Sequence, residues 1–339
     1  MRLKFLWLVL AVPVAVPLFA CAGCFDDPAV RAVRRAGGSC FTGNDLLDYA
    51  HPEWLKEVPP DAVAEVDLRA RAGHRHVTDD DLALLTPFPE VRRIVLADTD
   101  VTDAGLKRLA RFKNLRELEL QGTRVTDAGL GELAPLTRLR ELGLSGTGVT
   151  DAGLKALPAF PELQKLDIRD TRVTDAGLKS LPAFPELRTL NIGRTRVTDA
   201  GLGALTKFRG LRELDLVGAD QLSGEGLKSL AGMESFRVLN LDSKNLTAAG
   251  LKDVAALKGL EVLNLCWSPV TDEGLVGLAG LRNLQELWVS SYGVTNASIE
   301  PLAKMQQLRR LELNRCGLTT AGRRRLAEAL PPGVFTAGQ

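Results

Sequence analysis

The sequence predicts an α/β solenoid of about eleven short coils, and three observations carry that prediction. The hexad Val125-Thr126-Asp127-Ala128-Gly129-Leu130 recurs unchanged at Val101–Leu106, Val149–Leu154, Val173–Leu178 and Val197–Leu202, with weaker copies starting at Val77, Leu222, Leu246, Val270, Val294 and Leu318. The step between copies is 24 residues, except for 25 between Val197 and Leu222. Ahead of each hexad, apolar residues alternate as Leu118 and Leu120 do. A fixed period of this size marks coils that cannot bury their apolar side alone and so stack on one another.

Within one coil, the alternation at Leu118 and Leu120 is that of a short half-buried strand. Gly122 marks the turn that ends it. Thr126 is placed to cap a helix, its hydroxyl accepting from the free N–H groups of the first turn. Asp127 then falls at the positive end of the helix dipole. Leu130 and Leu133 point inward from the helix, and Pro135 returns the chain toward the next strand. Gly129 costs roughly 0.5–1 kcal/mol relative to Ala in a helical turn. Its recurrence implies a neighbouring coil packed too close for a methyl group.

The pattern LxxLxLxxTxVTDAGLxxL resembles a leucine-rich repeat, and is most similar to the short bacterial units that echo the cysteine-containing, ribonuclease-inhibitor-like class. The resemblance spans roughly residues 63–330. It implies a right-handed curved solenoid with parallel strands on the concave side and helices on the convex side, and a protein-binding role without a particular partner.

The chain has 339 residues, 45% hydrophobic and 25% charged, with a net charge of +1. Neutrality gives no basic stripe for nucleic acid, and 5% aromatics leave little for base stacking. Residues 1–20 read as an export signal, with Arg2 and Lys4 ahead of an apolar run. Leu18-Phe19-Ala20-Cys21 resembles a lipoprotein cleavage box, so Cys21 is the candidate lipid attachment site and the membrane is reached through that anchor only. Cleavage near Ala20 or Ala22 without lipid, or retention of Phe5–Phe25 as a membrane helix, are the alternatives. Residues 21–62 read as a linker and helical cap, in which Cys24 and Cys40 are candidates for a disulfide. Without lipidation, Cys21 and Cys24 form a weak redox or metal motif.

His74, His76 and Asp79–Asp81 read as a basic loop followed by an acidic helix start, since no third His or spaced Cys completes a metal site. Phe88, Phe112, Leu136, Phe160, Phe184 and Phe208 form a core spine at the repeat step. Thr99, Thr123, Thr147, Thr171 and Thr195 form a ladder whose hydroxyls should pair turn backbone groups. Beyond Thr195 the ladder is expected at Ala219, Lys244, Ser268, Tyr292 and Cys316, with turns opened around the large Lys244 and Tyr292. Residues 331–339 read as a tail, although Leu330-Pro331-Pro332-Gly333-Val334 looks like the start of another coil.

The strand residues between inward leucines form the candidate binding face. Its central column runs Asp67, Val95, Glu119, Gly143, Asp167, Asn191, Asp215, Asn240, Asn264, Trp288, Glu312. The column before it includes Glu65, Glu117, Glu141, Glu213 and Glu286, so this face should be net acidic. Glu need only be a common choice for a solvated strand, or the face steers a basic protein. A second patch gathers Cys266, Trp267, Trp288 and Tyr292, residue types that make interface hot spots; alternatively Trp267 packs into the turn beside Pro269. The expected partner-binding set is Glu119, Asp167, Asp215, Asn240, Asn264, Trp267, Trp288 and Tyr292. No GxSxG, HExxH or phosphate-loop motif occurs, and the three His all precede residue 77. The expectation is a non-enzymatic, cofactor-free protein-binding module, exported to the envelope. An intracellular ligase-adaptor or effector and a structural envelope protein are the alternatives.

Overall fold

The structure is a computed structural model, described for residues 41–42, 65–69 and 77–337. Cys21, Cys24, Cys40, His74, His76 and the expected cap helix lie outside the described residues. Two compact units are present, one running to Gly148 and including Ala156–Leu163, the other formed by Val149–Lys155 and the chain from Gln164 onward.

In the first unit β1 (Phe41–Thr42), β2 (Glu65–Asp67), β3 (Arg93–Val95), β4 (Glu117–Glu119) and β5 (Glu141–Gly143) pair in chain order, all parallel. A 3-10 turn at Asp81–Leu85, helix α1 (Asp103–Leu109) and a 3-10 turn at Leu130–Leu133 alternate with the later strands. Parallel neighbours need such crossovers, because a hairpin cannot join them. Ile94, Leu118 and Leu142 face inward from the strands, and Phe88 and Phe112 fill the interior behind them.

The second unit is built of coils of the same kind and holds α2 (Asp151–Ala156) up to Lys155, then β6 (Lys165–Asp167), α3 (Asp175–Ser180), β7 (Thr189–Asn191), α4 (Asp199–Leu202) and β8 (Glu213–Val217). Then follow β9 (Val238–Asp242), α5 (Ala248–Val254), β10 (Val262–Cys266), α6 (Asp272–Leu278), β11 (Glu286–Ser290), α7 (Ile299–Ala303), β12 (Arg310–Asn314) and α8 (Thr320–Ala329). The segment expected as a tail carries a further strand, β13 (Phe335–Ala337), paired with β12. Within this unit all strand pairs are parallel and consecutive. Phe160, Phe184 and Phe208 are buried, and the last two rings stack at 6.1 Å.

The expected cap is present where the hexad opens an α-helix: Thr102, Thr174 and Thr198 accept from Ala104, Ala176 and Ala200 N–H at 3.2, 3.2 and 3.3 Å. Thr126 accepts from Ala128 N–H at 3.4 Å, but its coil forms only the 3-10 turn that begins at Leu130. The Asp beside each cap does more than meet the helix dipole. Its carboxylate reaches into the following coil and accepts from both the N–H and the hydroxyl of the next Thr. Asp79 so holds Thr102 at 2.8 and 2.6 Å, Asp103 holds Thr126 at 2.8 and 2.6 Å, and Asp175 holds Thr198 at 2.8 and 2.7 Å. Asp199 accepts four bonds, from Ser223 N–H and hydroxyl and from the N–H groups of Gly224 and Gly226. Burial works against the charge of Asp272, yet the hydroxyls of Ser298 and Thr295 outweigh it and hold the carboxyl below its ordinary range. These bonds also explain the recurrent glycine. A Cβ on Gly129 would overlap the Oδ1 of Asp103, which Thr126 pins in place, and would lie 3.0 Å from the Asp103 Cα.

The threonine ladder forms as expected. Thr99, Thr123, Thr171 and Thr195 each donate to the carbonyl three residues back at 2.7 Å, and Thr147 does so at 2.6 Å. Two of the later ladder positions are corrected. Lys244 and Tyr292 are exposed, and the inward places belong to Ser243 and Ser291. Ser243 donates to Leu222 carbonyl at 2.6 Å and Ser291 to Val270 carbonyl at 2.7 Å. A lysine or tyrosine cannot enter a space one hydroxyl fills, so the chain shifts by one residue and turns the large side chain outward.

Candidate functional site

The sheet registers align the central column within each unit. In the first, Asp67, Val95, Glu119 and Gly143 stand side by side. In the second, Asp167, Asn191, Asp215, Asn240, Asn264, Trp288 and Glu312 do so. Neighbouring strands are about 4.8 Å apart, so each residue touches the next. The structure thus makes Asn240, Asn264 and Trp288 contiguous, whereas Asp167 and Asp215 are separated by Asn191.

Much of the expected acidity is spent locally. In the first unit the Arg93 guanidinium sits between two carboxylates, 2.7 Å from Glu65 and 3.0 Å from Glu117. In the second, the short side chains fold back on their own strand. Asp167, Asn191, Asp215 and Asn264 accept from the N–H two residues on, at 2.9, 3.0, 2.9 and 3.0 Å. Burial pushes the Asp167 carboxyl above its ordinary value, against the pull of the Arg169 N–H and charge, and Asp215 adds to the rise. Asp242 is raised too, first by burial and then by Asp220.

The aromatic residues stand out more sharply. Trp267 is 58% exposed and Tyr292 77% exposed, while Trp288 is half-buried. Trp267 does not sink into the turn beside Pro269. Its backbone is left-handed, with φ of 66°, a region where a bulky residue is rare. Gly122 and Gly146 take that conformation in the regular coils. The Arg315 guanidinium lies 4.2 Å from the Trp267 ring centroid, and that of Arg310 lies 5.3 Å from Trp288. Both distances fit cation–π contact. Sequence reasoning paired neither arginine with its tryptophan. The signal was available, since Arg315 stands two repeat steps after Trp267.

Cys266 and Cys316 are both free. Burial leads in pushing each thiol above its ordinary value, and for Cys266 the carboxylates of Glu312 and Asp242 add to it. Both therefore stay protonated at neutral pH and are poor nucleophiles. Asp79 and Asp81, near the His pair, are occupied by Thr102 and Thr78. Among the described residues no cluster of His, Cys, Asp and Glu could hold a metal, and no helix is long and apolar enough to cross a membrane. A depression of about 350 Å³ lined by Leu82, Thr86, Lys107, Arg108 and Arg111 lies in the first unit, with Arg108 bound to Asp80 and Arg111 to Thr86.

Stacked parallel strands joined by short helical crossovers define an α/β solenoid. A leucine-rich repeat family model matches residues 113–134, 136–157, 162–181 and 211–231. These matched segments are leucine-rich repeats, and the repeat pattern and stacked coils on either side of them are of the same kind. Among solved structures the fold is similar to that of an internalin, InlF, from Listeria monocytogenes, at 17% identity and a TM-score of 0.53, covering 92% of this chain and 94% of that one. It also matches internalin C2 of the same organism at 23% identity and a TM-score of 0.44, over 62% of this chain and 84% of that one. No curated protein matches the sequence significantly.

Proposed function

We propose that the chain is a protein-binding module that works through the strand face of its second unit, with Trp267, Trp288 and Tyr292 as the anchors and Asn240 and Asn264 as polar contacts beside them. The carrying observation is the exposure of Trp267 and Tyr292, which with Val276 are the exposed large apolar side chains among the described residues. Single exposed leucines need no explanation, but aromatic side chains grouped with arginine are the composition of interface hot spots. Glu119, Asp167 and Asp215 contribute less, being paired or partly occupied on their own strands. Export and tethering through a lipid on Cys21 complete the reading and would place the face outside the cytoplasm; an unmodified mature N-terminus in intact mass spectrometry would remove the tether.

The test uses site-specific photo-crosslinking in the native envelope with wild-type, Trp267→Ala and Tyr292→Ala chains. The reading expects a discrete crosslinked partner that both variants lose, while their melting temperatures stay within about 2 °C of wild type, as surface substitutions should. Unchanged crosslinking by both variants would refute it.

A further inference from the structure

We infer that Trp267 and Arg315 together form a receptor for a carboxylate, so the partner presents an acidic segment, an Asp or Glu beside an apolar residue. The inference rests on the reading of this patch as a protein-binding surface. Trp and Arg face each other here twice, and the two pairs differ in what remains free. The guanidinium over Trp288 belongs to Arg310, which already gives its N–H groups to Glu312. The guanidinium over Trp267 belongs to Arg315, which forms no ion pair or hydrogen bond with any described side chain. The guanidinium carbon lies 4.2 Å from the Trp267 ring centroid, and Arg315 is exposed, so its N–H groups remain open to a ligand from solvent.

Pinning matters for affinity. A free arginine loses rotamer freedom when it grips a carboxylate, whereas a guanidinium held on an indole has already lost part of it. A planar fork also matches a carboxylate with two parallel N–H···O bonds. Both residues sit on left-handed backbone, Trp267 at φ 66° and Arg315 at φ 50°, so the turns themselves aim the two side chains at each other. Tyr292, from the coil between them, offers an exposed ring to the apolar neighbour of the carboxylate. The excess positive charge of the pair selects an acidic partner over a basic one, the reverse of what the acidic columns of the sequence suggest.

The probe is a blocked pentapeptide of alternating Asp and Phe, compared with its Asn and Phe counterpart, titrated into the full-length chain by calorimetry. The Asp peptide should bind, and Arg315→Gln and Arg315→Lys should each weaken it about tenfold or more. The Asn peptide should bind wild type as weakly as the Asp peptide binds Arg315→Gln. Melting curves of the variants exclude unfolding, and Trp267→Ala, which frees Arg315 without removing it, should lose part of the affinity. Equal binding of both peptides, or no binding of either up to millimolar concentration, overturns the carboxylate assignment. If both bind equally yet Trp267→Ala and Tyr292→Ala abolish binding, the protein-binding reading survives alone. Self-association abolished by Arg315→Gln would make the occupant a second copy and overturn the choice of partner.

Discussion

The coils of β2 to β7 have strands of three residues, and those of β8 to β12 have strands of five. In the shorter set, the ladder Thr folds back on the carbonyl just past the end of its own strand, and the links between coils run through Asp and Thr on the helical side. In the longer set that Asp survives only as Asp272, its place being taken by Gly224, Ala248, Asn296 and Thr320. There the buried hydroxyls take over the linking: Ser243 reaches Leu222, and Ser268 accepts from Ser243 N–H and donates to Leu241. A coil needs polar ties to its neighbour, but either of its two turns can supply them. Moving the tie to the strand end frees the outward residues there, and that is where Trp267, Tyr292 and Arg315 stand.

The largest effect that would test this contrast is expected at Asp199, the last carboxylate before the lapse. Asp199→Ala strips partners from the N–H groups of Ser223, Gly224 and Gly226 and should cost about 3 kcal/mol, taking roughly 1–3 kcal/mol per group left unsatisfied. A urea-unfolding loss below 1 kcal/mol would mean that water replaces the carboxylate and that the ladder does not tie the coils. Next comes a pair two residues apart. Gly129→Ala meets Asp103 and should destabilise by about 1–3 kcal/mol. Gly131→Ala meets nothing within 4 Å and should stabilise by about 0.5–1 kcal/mol. If thermal unfolding gives both substitutions the same sign, close approach is not the reason for the hexad glycine.

The smallest effect is one of pH. The folded-state pKa of Asp167 is raised, chiefly by burial, so the folded chain holds that proton more tightly than the unfolded chain. Its favourable contribution is therefore complete below the ordinary carboxylate value and is lost as pH rises through the folded value. Asp167→Asn should then raise the melting temperature slightly at pH 7 and change it little at pH 3. Asn191 and Asn264 show that the amide keeps the N–H contact to its own strand. A rise confined to acid pH would reverse the assigned cause.

The hexad, its step and the alternating leucines made the coil, the Thr caps, the Phe spine and the strand register legible in advance. These are local matters: a period of two or 3.6 tells which side of a segment is apolar, and one repeat tells what the next will do. The inter-coil reach of Asp103 was not legible, because the hexad shows an Asp near a helix start and nothing of the Thr that stands one coil on in space. The repeat step puts the ladder at Lys244 and Tyr292, which are too large for it, and only packing revealed that Ser243 and Ser291 fill the space instead. The candidate site divides the same way. Its aromatic residues were visible in the sequence, but the pairing of Trp267 with Arg315 depends on two left-handed turns in coils 48 residues apart. Sequence alone determined the repeating backbone, since each coil carries its own apolar pattern. Which polar groups meet across coils, and which guanidinium is left unpaired, was decided by stacking, because those contacts exist only once the coils lie side by side.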